Sequence, residues 1–211
     1  MASLGTRIGE CRKSRKMTQE QLAEYMDVSS QAVSKWENEE YTFEEWLDLD
    51  HNEEIDLIDG VLYMRGEPSR RHQDIVRELT IELGVFLRGK DCRLYTHPFM
   101  VKLNKKTVVH PDISVICDKS KLNDRGCLGA PDFVIEILSP TNAGDDIFRK
   151  YHQYRQAGVK EYWIVDPDKN IITVYILEGG NYIVHLYTEN ETLPVSVLPG
   201  FEIDLKVIFS E

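Results

Sequence analysis

The sequence of 211 residues lacks several features that would place it in a particular class of protein. Its apolar runs fall well short of the roughly 20 residues that a membrane-spanning helix needs, and residues 1–16 lack the apolar segment of a signal peptide. The four cysteines form no CxxC pair and have no histidine spacing of zinc type. We therefore expect a cytoplasmic protein with no membrane partner, whose cysteines are all reduced thiols.

Basic residues are scarce relative to acidic ones. The 25 Lys and Arg are outnumbered by 36 Asp and Glu, so the net charge is −11 at pH 7. A protein covered with phosphate contacts has the opposite balance, and any nucleic-acid surface must therefore be local. Acidic residues are concentrated in residues 41–60, where no Lys or Arg occurs. This stretch is most simply explained as exposed surface and turn, although Asp56 or Asp59 could lie near a metal site.

Residues 1–40 predict three short helices. Thr18 and Gln21 have the spacing of a capping box at the start of the second helix, and Ser29 or Ser30 caps the third. This pattern resembles the repressor-like (XRE-type) helix-turn-helix family, in a truncated form. The resemblance implies that the third helix enters the major groove of DNA.

Residue by residue, the resemblance assigns base-facing positions to Ser30, Gln31 and Lys35, and a phosphate-contacting position to Gln19. Gln can pair with adenine and Lys can donate to guanine. A purely structural three-helix cap is the other interpretation of this segment. We expect it to form one domain, residues 1–40, ahead of a larger domain, residues 41–211.

The larger domain is predicted to be α+β or α/β, with a mixed sheet flanked by helices. Hydrophobic spacing indicates a long helix over residues 69–89 and a shorter one over residues 143–157. The pairs Asp59-Gly60 and Gly179-Gly180 indicate hairpin turns. The predicted strands cover residues 93–103, 108–116, 133–138, 162–166, 171–176 and 182–187.

Two of these strands each carry one carboxylate in an apolar run, Asp112 in the first and Glu136 in the second. Burying a carboxylate is costly unless it is paired, and two on adjacent strands suit Mg²⁺ or Mn²⁺. Lys150 follows Glu136 by 14 positions, in the next helix. Two carboxylates and a lysine around a metal are typical of phosphodiester hydrolysis. His72 lies with several arginines at the start of the long helix, which is either a phosphate-facing end or ordinary surface charge.

Residues 42–177 resemble the Uma2 family of bacterial proteins, which are classed as endonucleases within the PD-(D/E)xK superfamily. The matching segments are residues 56–60, 69–73, 110–112, 129–132, 134–140, 157–159 and 161–167, together with Lys150 and Tyr154. The resemblance implies a restriction-endonuclease-like fold, a Mg²⁺-dependent site and often a homodimer. The superfamily's lysine usually stands two residues after the acid, where this chain has Leu138, and Lys150 supplies it instead.

These observations favour a metal-dependent endonuclease, with Asp112 and Glu136 holding the metal and Lys150 acting on the water or the scissile phosphate. DNA is the expected partner, because the N-terminal helices resemble a DNA-reading module. The alternative is a helix-turn-helix regulator whose nuclease-like domain serves for dimerisation or sensing. An RNA or a branched nucleic acid is a further possible substrate.

Overall fold

The computed structural model describes residues 3–38, 41–50, 52–139 and 145–210. Its contacts divide the chain into two compact units, which we call unit 1 and unit 2. Unit 1 comprises residues 1–65 and 105–109, and unit 2 comprises residues 66–104 and 110–211. The domain boundary predicted after residue 40 falls within unit 1 and remains a prediction.

In the described residues four helices come first, and the strands follow in runs of two, seven and five that are separated by single helices. In chain order, the helices are α1 Leu4–Ser14, α2 Gln19–Met26, α3 Ser30–Asn38, α4 Phe43–Leu47, α5 Arg70–Leu87, α6 Asp145–Ala157 and α7 Leu205–Phe209. The strands are β1 Ile55–Ile58, β2 Val61–Met64, β3 Arg93–Thr96, β4 Met100–Asn104, β5 Thr107–Val109, β6 Ile113–Ile116, β7 Leu122–Asn123, β8 Gly126–Leu128, β9 Phe133–Ile137, β10 Glu161–Asp166, β11 Ile171–Glu178, β12 Asn181–Thr188, β13 Thr192–Pro194 and β14 Glu202–Asp204.

Helices α1 to α3 of unit 1 form where the sequence predicts them. The Thr18 side chain accepts a hydrogen bond from the Gln21 N–H at 3.2 Å, and the Gln21 side chain accepts one from the Thr18 N–H at 2.8 Å. The Ser29 hydroxyl likewise accepts from the Ala32 N–H at 3.1 Å. These bonds satisfy backbone donors that the first helical turn leaves free, so they fix where each helix begins.

Unit 1 also contains a small sheet. Strands β1 and β2 form the hairpin predicted at Asp59-Gly60, and β1 pairs antiparallel with β5. Both turn residues have positive φ, 52° and 83°, which is the conformation that Asp-Gly accommodates in tight hairpins. Trp46 of α4 is buried and donates from its indole N–H to the Ile55 carbonyl at 2.8 Å. The acidic stretch therefore begins with a helix anchored on the sheet.

Unit 2 is organised around a six-stranded sheet in the order β12-β11-β10-β9-β6-β3. The central pair β9–β10 is parallel, and the other neighbours are antiparallel. In unit 2, β8 pairs parallel with β4 and antiparallel with β7, and β13 pairs with β14. The mixed sheet flanked by helices confirms the predicted fold class. No described helix is both long and apolar enough to cross a membrane.

The two faces of this sheet have different roles. Alternate residues such as Ile135 and Ile137 of β9 face a core that they share with Ile75 and Leu79 of α5. Because side chains alternate along a strand, Glu136 points to the opposite face. Its hydrogen bonds show that α6 covers this face.

Two predicted strands are interrupted. The run over residues 93–103 divides into β3 and β4 at Pro98, and the run over residues 108–116 divides into β5 and β6 at Pro111. Proline has no N–H to donate to a ladder, so it is disfavoured inside a strand. Asp112 consequently lies just before β6 rather than inside a continuous strand.

The prediction of four reduced thiols is wrong for one pair, because Cys92 and Cys117 form a disulfide. The pairing of Arg93 with Ile116 places the two cysteines opposite each other where β3 and β6 meet. They are 25 residues apart in the chain, and the antiparallel register brings them together. Cys11 and Cys127 are free thiols.

Candidate active site

Glu136 is held by two side chains of α6. The Lys150 ammonium donates to both carboxylate oxygens, at 3.1 and 3.2 Å, and the Tyr154 hydroxyl donates to Oε1 at 2.7 Å. Glu136, Lys150 and Tyr154 are 7%, 3% and 0% exposed. A buried carboxylate is tolerated only when it is paired and hydrogen-bonded, and this arrangement provides both.

Asp112 lies beside Glu136 on the neighbouring strand. Ile113 pairs with Ile135 in the antiparallel ladder of β6 and β9, so one further step places Asp112 opposite Glu136. Directly opposite residues point to the same face, with Cβ atoms about 5 Å apart. The Asp112 carboxylate also accepts a hydrogen bond from the Ile137 N–H at 2.8 Å. This bond fixes the carboxylate against the end of β9.

His72 contacts Asp112 from the first turn of α5. Ser69 caps this helix by accepting from the His72 N–H at 3.1 Å, and the ring Nε2 lies 3.1 Å from Asp112 Oδ2. This distance is that of a hydrogen bond between the ring and the carboxylate. The Nδ1 atom is buried and has no hydrogen-bond partner among the described residues. His72 thus belongs to the site.

The chemistry of this donor set fits a hard cation. Asp112 and Glu136 offer carboxylate oxygens, the hard donor atoms that Mg²⁺ prefers. No group of three or more His, Cys, Asp or Glu within the described ranges is placed to hold a metal. Mg²⁺ is commonly held by one or two carboxylates, with water and substrate phosphate completing its shell. Two carboxylates are therefore a sufficient protein contribution for this ion.

Asp56 and Asp59, proposed from the sequence as site periphery, lie in unit 1. Asp56 is buried on β1, and its carboxylate lies 3.5 Å from the Arg65 guanidinium. Asp59 occupies the β1–β2 turn, where its N–H donates to the Thr107 hydroxyl at 3.3 Å. A place for either residue at the periphery of the site stays a prediction.

The residues predicted to contact DNA lie on α2 and α3, and they differ in how exposed they are and in the contacts that they already make. Gln31 is exposed, and it borders a shallow pocket with Ser34, Lys35 and Asn38. Lys35, however, forms an ion pair with Glu45 of α4. These residues stay predicted contacts.

Gln19 and Ser30, the other two predicted DNA contacts, are half-buried. The Gln19 amide donates to Glu37 at 2.9 Å. Glu37 in turn accepts from the Arg12 guanidinium, whose hydrogen bond holds the pKa of this carboxyl below its ordinary value. The start of α2 is thereby tied to α1 and α3.

Tyr154 is the site residue that sequence reasoning missed as a functional group. It follows Lys150 by four positions, and residues four apart share one face of a helix. This spacing was the signal in the sequence, because a tyrosine one helical turn after the lysine can reach the same carboxylate. The Ile137 N–H, by contrast, is a backbone donor that no side-chain pattern could reveal.

Comparisons with known proteins identify the family and the fold. The profile of the Uma2 family, described as "Putative restriction endonuclease", matches residues 40–206, and a helix-turn-helix profile matches residues 8–43. An uncharacterized protein of Synechocystis sp. (strain PCC 6803) is 25% identical over 168 residues, which cover 77% of this chain and 88% of that protein. A crystal structure from Anabaena variabilis, titled as a putative nuclease belonging to DUF820, superposes with a TM-score of 0.70. It is 23% identical and covers 81% of this chain and 98% of its own.

Proposed function

Because the chain belongs to the Uma2 family, we propose that it is a metal-dependent endonuclease that hydrolyses phosphodiester bonds in DNA. The observation that carries the proposal is the buried cluster of Asp112, Glu136 and Lys150. Support comes from the hydrogen bonds of Lys150 to both oxygens of Glu136, and from the register of β6 and β9, since Asp112 directly precedes the pair Ile113 and Ile135. Burying charged groups costs desolvation free energy, so such groups are rarely buried together for stability alone.

In this proposal Asp112 and Glu136 are the metal ligands. A Mg²⁺ or Mn²⁺ ion supplies positive charge against the phosphate and makes a bound water more acidic. Asp112 is oriented by the Ile137 N–H and by His72, and Glu136 is oriented by Tyr154. Such outer contacts keep a ligand in one rotamer and are as important to a site as the ligands themselves.

Lys150 is the proposed catalytic cation. Charge builds on the non-bridging phosphate oxygens as the phosphodiester is attacked, and a fixed ammonium in a water-poor site stabilises that charge. The lysine is carried by α6, whereas the position two residues after Glu136, just beyond β9, is Leu138. The site therefore combines two strands and one helix.

DNA is the proposed substrate because the N-terminal helices match a helix-turn-helix profile. Gln31 is the exposed residue of α3 on which base reading depends in this proposal. To contact DNA, Lys35 would have to leave Glu45, and Gln19 would have to leave Glu37. In this proposal the protein acts on DNA in the bacterial cytoplasm, and it acts as the homodimer that the family resemblance implies.

A nicking assay on supercoiled plasmid with Mg²⁺ or Mn²⁺ tests the proposal. The wild-type protein should convert supercoiled to open-circular DNA. Asp112→Asn and Glu136→Gln should abolish the conversion, and Lys150→Met should slow it by about 100-fold, the usual cost of losing one donor to a developing charge. Mn²⁺ titration by electron paramagnetic resonance should show binding by the wild type and weaker binding by Asp112→Asn.

Asp132→Asn is the matched control, since this buried carboxylate also pairs with a lysine, Lys160 at 2.7 Å. The Asp132 carboxylate accepts a hydrogen bond from the Cys117 N–H. Cys117 follows the end of β6, whereas Asp112 precedes its start, so loss of the Asp132 carboxylate should leave nicking intact. Nicking that survives Glu136→Gln would refute the assigned site. Duplex binding without nicking by the wild type would favour the regulator. Gln31→Ala should weaken duplex binding while leaving thermal stability unchanged.

A further inference from the structure

Helix α6 has an inner face that belongs to the site and an outer face that does not. Lys150 and Tyr154, four positions apart, point inward and bind Glu136. Phe148 and His152 are also four positions apart, and residues with this spacing share one face of a helix. Two positions turn an α-helix by about 200°, so Phe148 points away from Lys150. Phe148 and His152 therefore lie on the outer face of α6.

Aromatic rings form a continuous surface on this outer face. Phe148 is 66% exposed, and its ring centroid lies 4.5 Å from that of His152, with an angle of 81° between the ring planes. The His152 ring lies 5.4 Å from the ring of Tyr151, which packs edge to face on Tyr175 of the sheet at 5.1 Å. Phe148 is thus supported by neighbouring rings, while most of its surface stays exposed to solvent.

The charge around these rings has the opposite sign from that of the chain. Residues 147–160 contain four Lys and Arg and no Asp or Glu, in a chain of net charge −11. Lys150 and Lys160 pair with carboxylates. Arg155 donates to the Asn181 amide oxygen at 3.4 Å, a neutral partner that does not cancel its positive charge. Positive charge beside aromatic rings is the combination that binds the backbone and the bases of a single-stranded nucleic acid.

An exposed aromatic ring favours unpaired bases over paired ones. In a duplex the faces of the bases are stacked on each other, so a protein reaches only base edges, sugars and phosphates. A base that is out of the duplex has a free face, which can stack on an aromatic side chain. The ring of Phe148 has no hydrogen-bond donor or acceptor with which to read a base edge. The outer face of α6 is therefore suited to unpaired bases.

We propose that the outer face of α6, centred on Phe148, binds an unpaired segment of the DNA next to the bond that is cut. Phe148 stacks on one base, and Arg155, seven positions further along the helix, contacts a phosphate about 10 Å away. This inference rests on the proposed function, because the same helix carries Lys150, the proposed catalytic cation. The substrate is then DNA with an unpaired segment, such as a single strand or a bubble, rather than a continuous duplex.

Fluorescence anisotropy in EDTA tests the proposal, with a fluorescein-labelled oligothymidine and a blunt duplex as probes. Phe148→Ala should raise the Kd for the oligothymidine by about 10-fold, the usual cost of losing one base stack, and should leave the Kd for the duplex unchanged. A 2-aminopurine base in the single strand should lose fluorescence on binding to the wild type and keep it with Phe148→Ala. Arg155→Gln should reduce the salt slope of log K for the single strand by about 0.7, the value for one phosphate contact.

Val85→Ala is the matched control, because Val85 of α5 is 63% exposed and apolar but has no aromatic ring. This variant should bind both probes as the wild type does. Circular dichroism establishes that each variant is folded before its affinity is compared.

Three results would overturn the proposal. The first is a wild type that does not bind the oligothymidine. The second is a Phe148→Ala variant that binds it as tightly as the wild type, or that loses duplex binding to the same extent. The third is an oligouridine bound more tightly than the oligothymidine, which would point to RNA. EDTA removes any metal, so binding is scored without cleavage, and failure of the nicking assay is distinguishable from failure of this test.

Discussion

Replacing Lys150 with Met tests whether the Glu136 ion pair is as deeply buried as its geometry implies. The two side chains are 4% and 9% exposed, and the nearest contact is 3.1 Å. Two unit charges at that distance attract by about 5 kcal/mol at an effective dielectric constant of 20. Part of that attraction is offset because the lysine no longer has to be desolvated.

Lys150→Met should lower the free energy of unfolding by about 3 to 5 kcal/mol, because Glu136 is left buried and charged with Tyr154 as a remaining partner. Urea denaturation followed by circular dichroism measures this change. The double variant Glu136→Gln/Lys150→Met should recover at least half of the loss, since a neutral amide beside an apolar side chain costs less to bury.

Lys169→Met is the matched control. Lys169 lies closer to its partner Asp166, at 2.7 Å, but its side chain is 70% exposed. Solvent screens such a pair, so this change should cost less than about 1 kcal/mol. If Lys150→Met costs no more than Lys169→Met, burial does not govern the Glu136 pair and the reasoning is refuted.

Two further predictions concern the cysteines and the N-terminal helices. Native protein should have one reactive thiol at pH 8, that of Cys11, because burial raises the pKa of the Cys127 thiol to about 11. Ellman's reagent should then detect two thiols after unfolding and four after unfolding with reduction. A different count in the unfolded, unreduced protein would contradict the disulfide. Arg12→Ala should remove a stabilisation that acts at neutral pH and is lost as the pH falls through the lowered pKa of Glu37. The protection factors of the α1 amides against hydrogen exchange should therefore be lower in this variant at pH 7, with a smaller further decrease on acidification than in the wild type; equal protection factors would show that the pair contributes nothing.

Local structure follows closely from local sequence in this chain. The Thr18 capping box, the Asp59-Gly60 turn and the long helix after Ser69 form where the residues predict them. Each depends on side chains within three or four positions of the backbone groups they satisfy, so one sequence segment contains the whole interaction. The helix-turn-helix pattern and the carboxylates in apolar runs are visible for the same reason.

The two prolines show the limit of this locality. Pro98 and Pro111 interrupt runs whose hydrophobic alternation predicts continuous strands. Hydrophobic alternation alone does not show that the missing proline N–H breaks the ladder at these two positions. The result is that Asp112 begins a strand, where its carboxylate can accept from the Ile137 N–H.

The two carboxylates in apolar runs, Asp112 and Glu136, show what tertiary structure adds. Sequence alone identified Asp112, Glu136 and Lys150 as costly polar groups in apolar surroundings, because that cost is a property of residue type and neighbours. Only the fold decided that β6 and β9 are adjacent and antiparallel, that α6 brings Tyr154 with Lys150, and that His72 meets Asp112 across 40 positions. The Cys92–Cys117 disulfide was decided in the same way. Contacts between residues far apart in sequence depend on which elements pack together, and packing is set by the whole core rather than by any one segment.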